Sequence, residues 1–308
     1  MSSDAANDAT AAPAVTPEVE RSVDRSAEGF RADQGAPLAD LGPRVASALV
    51  LIPAALAAAI AGGPWLAGAA GAAVVVMSYE WARMTAPSAL TRVGAPIFLG
   101  AFGAVIAASW NQPSWAEAWL LVWAGAAALL APGGSARLNA FLGAYYIGAP
   151  PAAFVWLRGH EATGLMIVLT LFIVIWCVDM AAYFSGRLIG GPKFAPLISP
   201  QKTWAGVLGG LAAGTAAGLA CGAAWGGPPV AWAMAGLGLA ILGLLGDLVE
   251  SALKRRFGVK DASRIIPGHG GMLDRLDGLI MATLGTGVAV AVAPEVLTLL
   301  SGRGPLGG

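Results

Sequence analysis

From Arg44 onward the chain alternates long apolar stretches with short polar breaks. A helix needs about 20 apolar residues to cross a bilayer core. Nine stretches come near that length: 44–62, 65–84, 94–110, 115–131, 138–157, 162–184, 204–224, 229–253 and 276–300. Gly, Ala and Asn dilute the third and fourth, and the eighth is long enough to project beyond the hydrocarbon at its C-terminal end. The expected fold class is all-α, a polytopic integral membrane helical bundle of about nine transmembrane helices.

Lys and Arg set the orientation. With a cytosolic N-terminus, the inside loops hold Arg83, Arg92, Arg137, Arg187, Lys193, Lys202 and every cation from Lys254 to Arg275, against Arg158 and Arg303 outside. Cytosolic loops of membrane proteins carry an excess of such residues, so the topology reads N-in/C-out. Losing one weak span would invert every later loop. Trp65, Trp110, Trp115 and Trp204 fall at span ends, where an aromatic belt places them.

Composition agrees. The chain is 57% hydrophobic and 12% charged, whereas soluble domains carry about 25% charged residues. Net charge is zero, and no nucleic-acid partner is expected. Residues 1–43 are rich in Ala, Pro, Ser and Asp without a period, and read as a disordered acidic tail. They lack the basic start and apolar core of a signal peptide. Residues 44–308 form the transmembrane domain. Cys177 and Cys221 lie inside apolar runs and read as small buried hydrophobes. In the seventh span Gly206, Gly210, Gly214, Gly218 and Gly222 recur every fourth position. That gives a bare helix face which a neighbour can approach closely; whether the neighbour lies in the same chain or a second protomer stays open.

Charge concentrates in 247–278. Asp247, Ser251 and Lys254 lie at i, i+4 and i+7, on one helix face. Glu250 and Lys254 are spaced for a local ion pair. Such a pair does not account for Asp247, a turn deeper, where a lone carboxylate costs a few kcal/mol and calls for a cation or a metal. Next come the cations Lys254, Arg255, Arg256, Lys260 and Arg264, which also suit anionic lipid. The turn Pro267-Gly268-His269-Gly270-Gly271 allows close backbone approach to a ligand. Asp274 and Asp277 follow at i, i+3 near the start of the ninth helix. A cap explains either aspartate alone, but the pair can share or flank one metal. Hard oxygen ligands without a Cys or His cluster favour Mg²⁺ over zinc. Mg²⁺ completes its shell with phosphate oxygens and water. This is the chemistry of phosphoryl or nucleotidyl transfer.

A second inside segment, 179–206, carries Asp179 late in an apolar helix and Ser199, Lys202 and Thr203 at the start of the seventh helix. An anion is favoured at such a helix start. Glu80 and Arg83 read as a simple pair, and Tyr145 and Tyr146 as packing or interface residues.

The 251–277 stretch resembles the signature of the phosphatidate cytidylyltransferase (CDP-diacylglycerol synthase) family. The matching residues are Ser251, Lys254-Arg255, Lys260-Asp261, His269-Gly270-Gly271 and Asp274-Arg275-Leu276-Asp277. Ser199-Pro200-Gln201-Lys202-Thr203 is similar to the upstream motif of that family, with one departure: Ala205 follows Trp204 where the family commonly carries Glu. The resemblance implies a membrane nucleotidyltransferase converting CTP and phosphatidate to CDP-diacylglycerol and pyrophosphate with Mg²⁺, a second cation left open. It places the enzyme as a multi-pass protein of the cell inner (plasma) membrane, with its active site, within 179–278, facing the cytoplasm. Asp247 and Asp274 would be metal ligands and Asp277 a ligand or outer-sphere acceptor. Ser251, Lys254 and Arg275 would bind phosphates. Ser199, Lys202, Thr203, Arg255, Lys260, His269, Gly270 and Gly271 would contact substrate. A homodimer is left open.

Rival classes are distinguishable. Asp274-x-x-Asp277-Gly278 is superficially similar to the CDP-alcohol phosphotransferase motif, but Leu279 to Ala282 follow where that pattern has Ala-Arg, and no Asp occurs after 277. A CTP-dependent polyprenol or phytol-type lipid kinase would release CDP rather than pyrophosphate. An ion-coupled transporter using Asp179 and Asp247 would place its polar groups near the midplane within internal repeats, whereas here they gather at one face.

Overall fold

The computed structural model describes residues 41–266 and 270–301. Residues 1–40 of the expected tail lie outside the described residues, and 41–43 belong to the first turn of a helix. Among the described residues, nine helices of 18 residues or more follow in order. They are α1 (Leu41–Ala61), α2 (Gly63–Thr85), α3 (Leu90–Ser109, entered through a 3₁₀ turn at Pro87–Ala89), α4 (Pro113–Leu130), α5 (Ser135–Arg158), α6 (Gly164–Leu188), α7 (Trp204–Trp225), α8 (Pro229–Arg256) and α9 (Leu273–Val292). Six of them (α3 with its 3₁₀ turn, and α5 to α9) are long and apolar enough to cross a membrane. Pro stands in the first turn of α2, α4 and α8, where its missing N–H costs nothing. Gly226 ends α7 in the left-handed conformation.

The all-α class is borne out, with one addition and one corrected boundary. Residues 193–203 form a short antiparallel hairpin of β1 (Lys193–Ala195) and β2 (Ser199–Thr203), with Lys193 opposite Thr203 and Ala195 opposite Ser199. Thr203 ends β2 and caps α7, its Oγ1 accepting from the Gly206 N–H at 3.1 Å. The stretch read as a ninth span, 276–300, is two helices. α9 stops at Val292, and α10 (Glu295–Ser301) follows Pro294. Pro lacks an N–H and pushes the residue before it out of the helical region; Ala293 has φ −136° and ψ 72°. The α10 end is held by Trp232, whose indole N–H donates to Leu300 O at 2.9 Å.

Helices α2 to α5 pack on one another, and α6 to α9 form a second group. α9 joins the groups, packing on α8, α6 and α5. Small residues make this closeness possible. The glycine face of α7 meets helices of the same chain: a side chain at Gly210 would press on Val178 and Ala182 of α6, and one at Gly218 would strike Trp232 and Gly236 of α8. In the first group the Trp81 indole fills the notch over Gly143, and its N–H donates to Asn139 O at 3.1 Å. Tyr146 packs against the same ring, with centroids 5.3 Å apart. Arg158 closes the end of α1. Its Nε and Nη2 donate to Ala59 O (2.7 Å) and Ile60 O (2.9 Å), among the last carbonyls of that helix.

Candidate active site

The α6 C-terminal turns, the hairpin, the α7 start, the middle of α8 and the α9 start surround a polar cavity of about 580 Å³. Asp247 is 18 residues beyond Pro229 (247 − 229 = 18), about 27 Å along the helix. That is close to the span of about 30 Å that a helix must cover to cross a hydrocarbon core, and Ser251 and Lys254 lie one and two turns further along.

Asp247 and Asp274 line this one cavity, with Asp277, Arg275, Ser199, Lys202 and Thr203. Asp179 lines it too. Its only signal in the sequence was a carboxylate late in an apolar helix. Asp179, Asp247 and Asp277 are within electrostatic reach of one another. Lys202 Nζ approaches Asp247 Oδ2 to 2.5 Å, an ion-pair contact rather than an aligned hydrogen bond. Ser251 Oγ donates to the other oxygen of Asp247 at 3.3 Å, so their shared helix face is realised.

Lys254 takes a different partner from the one its position on that face suggests. Its Nζ lies 2.6 Å from Glu250 Oε2 and 2.7 Å from Asp274 Oδ1. The Glu250–Lys254 pair is therefore present, and Lys254 also bridges α8 to α9. Asp274 Oδ2 accepts the N–H groups of Ala262 (3.0 Å) and Gly271 (2.8 Å). A carboxylate offers about four lone-pair directions, so these three donors leave capacity for one more. Asp277 Oδ1 accepts from the Gly278 N–H at 2.8 Å.

Other residues are placed elsewhere. Arg255 and Lys260 are exposed and off the cavity lining. Gly270, at φ 83°, closes the loop through an isolated bridge to Ile266. His269 lies outside the described residues. Glu80 does not pair with Arg83. It is fully buried and accepts from Ser263 Oγ (2.5 Å) and from the N–H groups of Met272 (2.9 Å) and Leu273 (2.9 Å). No spacing rule points across 183 residues to that contact.

The carboxylates supply hard oxygens of the kind Mg²⁺ takes, and among the described residues no group of three or more acidic, His or Cys side chains is placed to hold a metal ion. Mg²⁺ is held by one or two carboxylates and keeps sites for water and substrate phosphate. Asp247, Asp274 and Asp277 all line one cavity, whose volume of about 580 Å³ is large enough to admit such a phosphate.

Fold and site together define a multi-pass helical membrane protein whose acidic and basic side chains converge on one polar cavity. The chain belongs to the cytidylyltransferase family, whose model matches residues 42–293. It is 44% identical over 146 residues to a Brucella suis protein named phosphatidate cytidylyltransferase, covering 46% of this chain and 52% of that protein. A Pseudomonas aeruginosa protein of the same name is 38% identical over 258 residues, covering 78% and 93% of the two chains. One from Haemophilus influenzae is 42% identical over 125 residues, covering 39% and 43%. The match thus spans about half the length of the Brucella relative and nearly all of the Pseudomonas one.

Proposed function

We propose that this protein is a phosphatidate cytidylyltransferase, joining CTP and phosphatidate into CDP-diacylglycerol with release of pyrophosphate. The observation that carries the reading is the one cavity lined together by Asp247, Asp274 and Asp277 and by Lys202 and Arg275. The names of the relatives support the choice of substrates. The positive loops support nine crossings with the N-terminus and the cavity on the cytoplasmic side of the inner membrane.

In this reaction a phosphatidate phosphate oxygen bonds to the α-phosphorus of CTP, and the bond from that phosphorus to the β-bridging oxygen breaks. The attacking group is already an anion, so no general base is required. The barrier is repulsion between anions, which fixed cations reduce. Lys202 and Arg275 would supply that charge, with Ser199 and Thr203 donating hydrogen bonds to phosphate or ribose. Two of Asp247, Asp274 and Asp277 would hold Mg²⁺, which when bound neutralises phosphate oxygens, with the third as an outer-sphere acceptor. The cavity at the membrane edge would admit a lipid headgroup while its tails stay in the bilayer.

Purified protein given labelled CTP, phosphatidate and Mg²⁺ should yield labelled lipid and pyrophosphate in equal amounts. Release of CDP instead would assign the chain to the lipid kinases, and no transfer to phosphatidate would overturn the proposal.

A further inference from the structure

Glu80 stands on α2, in a group of helices none of whose described residues lines the cavity. Its carboxylate is buried and, among the described residues, pairs with no cation. All three of its donors belong to the stretch that leads into α9: Ser263 on the outgoing arm of the loop, Met272 and Leu273 on the returning arm. Ser263 Oγ also accepts from the Ile265 N–H at 3.2 Å, so the outgoing arm is fixed in turn.

Asp274 grips the same neck from the cavity side, through the N–H groups of Ala262 and Gly271. Consecutive amides are thus divided between two carboxylates: Gly271 to Asp274, Met272 and Leu273 to Glu80. The fit leaves no room for a side chain between them. A Cβ at Gly271 would stand 2.7 Å from Glu80 Oε1 and 3.0 Å from Asp274 Oδ2. The first amides of any helix lack partners within the helix, and an acidic group there is favoured by the dipole. α9 has no side-chain cap of its own at Met272, and Glu80 serves as one from another helix.

We infer that Glu80 is a positioning residue for the proposed transfer: it ties Ser263 to the Met272 and Leu273 amides and caps α9, and so holds Asp274 and Asp277 along the cavity wall. The inference rests on the proposed reaction for its kinetic consequence, and on geometry alone for the clasp.

The test uses the full chain in detergent with phosphatidate micelles, comparing Glu80→Ala, Glu80→Gln and Ser263→Ala. Partners that orient metal ligands are worth about 10- to 100-fold. Glu80→Ala should lower kcat by that factor, and amide exchange in peptides covering 262–277 should speed up about tenfold or more, in the range of a lost cap plus lost hydrogen bonds. Exchange in α3 and α7 should not change. Glu80→Gln keeps one acceptor oxygen and should fall between wild type and Glu80→Ala; it carries the test if the alanine variant does not fold. Ser263→Ala should cost less, and adding it to Glu80→Ala should cost little more, because both remove one interaction. Unchanged kcat and exchange in both Glu80 variants would overturn the inference, as would exchange that rises evenly through the bundle. If wild type makes no nucleotide lipid, the reaction reading fails, and the exchange pattern still decides the clasp.

Discussion

Lys254 Nζ lies 2.7 Å from Asp274 Oδ1, tying the last turn of α8 to the first turn of α9. With Glu250 on its other side, the ammonium stands between two carboxylates, both nearly buried. Removing one partner of a buried ion pair leaves the remaining charge uncompensated and costs about 3–5 kcal/mol. Lys254→Met should therefore lower the thermal midpoint of the detergent-solubilised protein and abolish turnover. Adding Glu250→Gln should recover part of the midpoint and none of the activity. A Lys254→Met protein as stable and active as wild type would contradict the bridge.

Asp247 and Ser251 share a hydrogen bond but not a rank. The Ser251 bond is long, 3.3 Å, and losing it should cost about 1 kcal/mol, or about fivefold in rate. Asp247 also holds Lys202 and supplies a cavity oxygen. Asp247→Asn should cost about 100-fold or more, at the upper end for metal-site residues. Initial rates of the two single variants check the order, and the reverse order would remove Asp247 from its assigned place.

Chelation should stop turnover and added Mg²⁺ should restore it. Zn²⁺ should be a poor substitute, because the donors are carboxylates without His or Cys. Asp277→Asn should raise the Mg²⁺ concentration for half-maximal rate about tenfold. Full activity in excess chelator would separate these acids from a metal.

At Gly218 the α7 backbone meets α8 with no space for a Cβ, whereas Gly238 on α8 opens onto nothing within 4 Å. Overpacking costs about 1–3 kcal/mol when neighbours can shift, and more where the obstacle is backbone. Gly218→Val should deplete the folded species on size-exclusion chromatography, and Gly238→Val should not. Equal profiles would place the helix contact elsewhere.

What could be read from the sequence follows the range of each interaction. The Asp247–Ser251 bond and the Glu250–Lys254 pair are one helical turn apart, so spacing revealed them. The glycine face of α7 was legible because a fourth-residue repeat is itself a surface. The Glu80 contacts are tertiary, and Arg83 nearby offered a simpler partner that the fold does not use. The 193–203 hairpin escaped because strands of three and five residues leave too short an alternation to recognise. The break at Pro294 carried a local signal, but the apolar residues on either side masked it. Lys254 shows the remaining limit: helical spacing placed it on the right face, and only the approach of α9 chose Asp274 for it.

Part of the cavity wall is Gly186, Gly206, Gly210 and Gly243, with Ala182 and Ala240 between them. Backbone has no rotamers to exchange, so this surface can neither swing shut on a guest nor reshape itself for one. On the proposed reading the tails stay outside in the bilayer, so the cavity has no hold on their length or unsaturation. Mixed phosphatidates offered in competition should be consumed at similar rates, leaving the choice of acyl chains to whatever made the lipid.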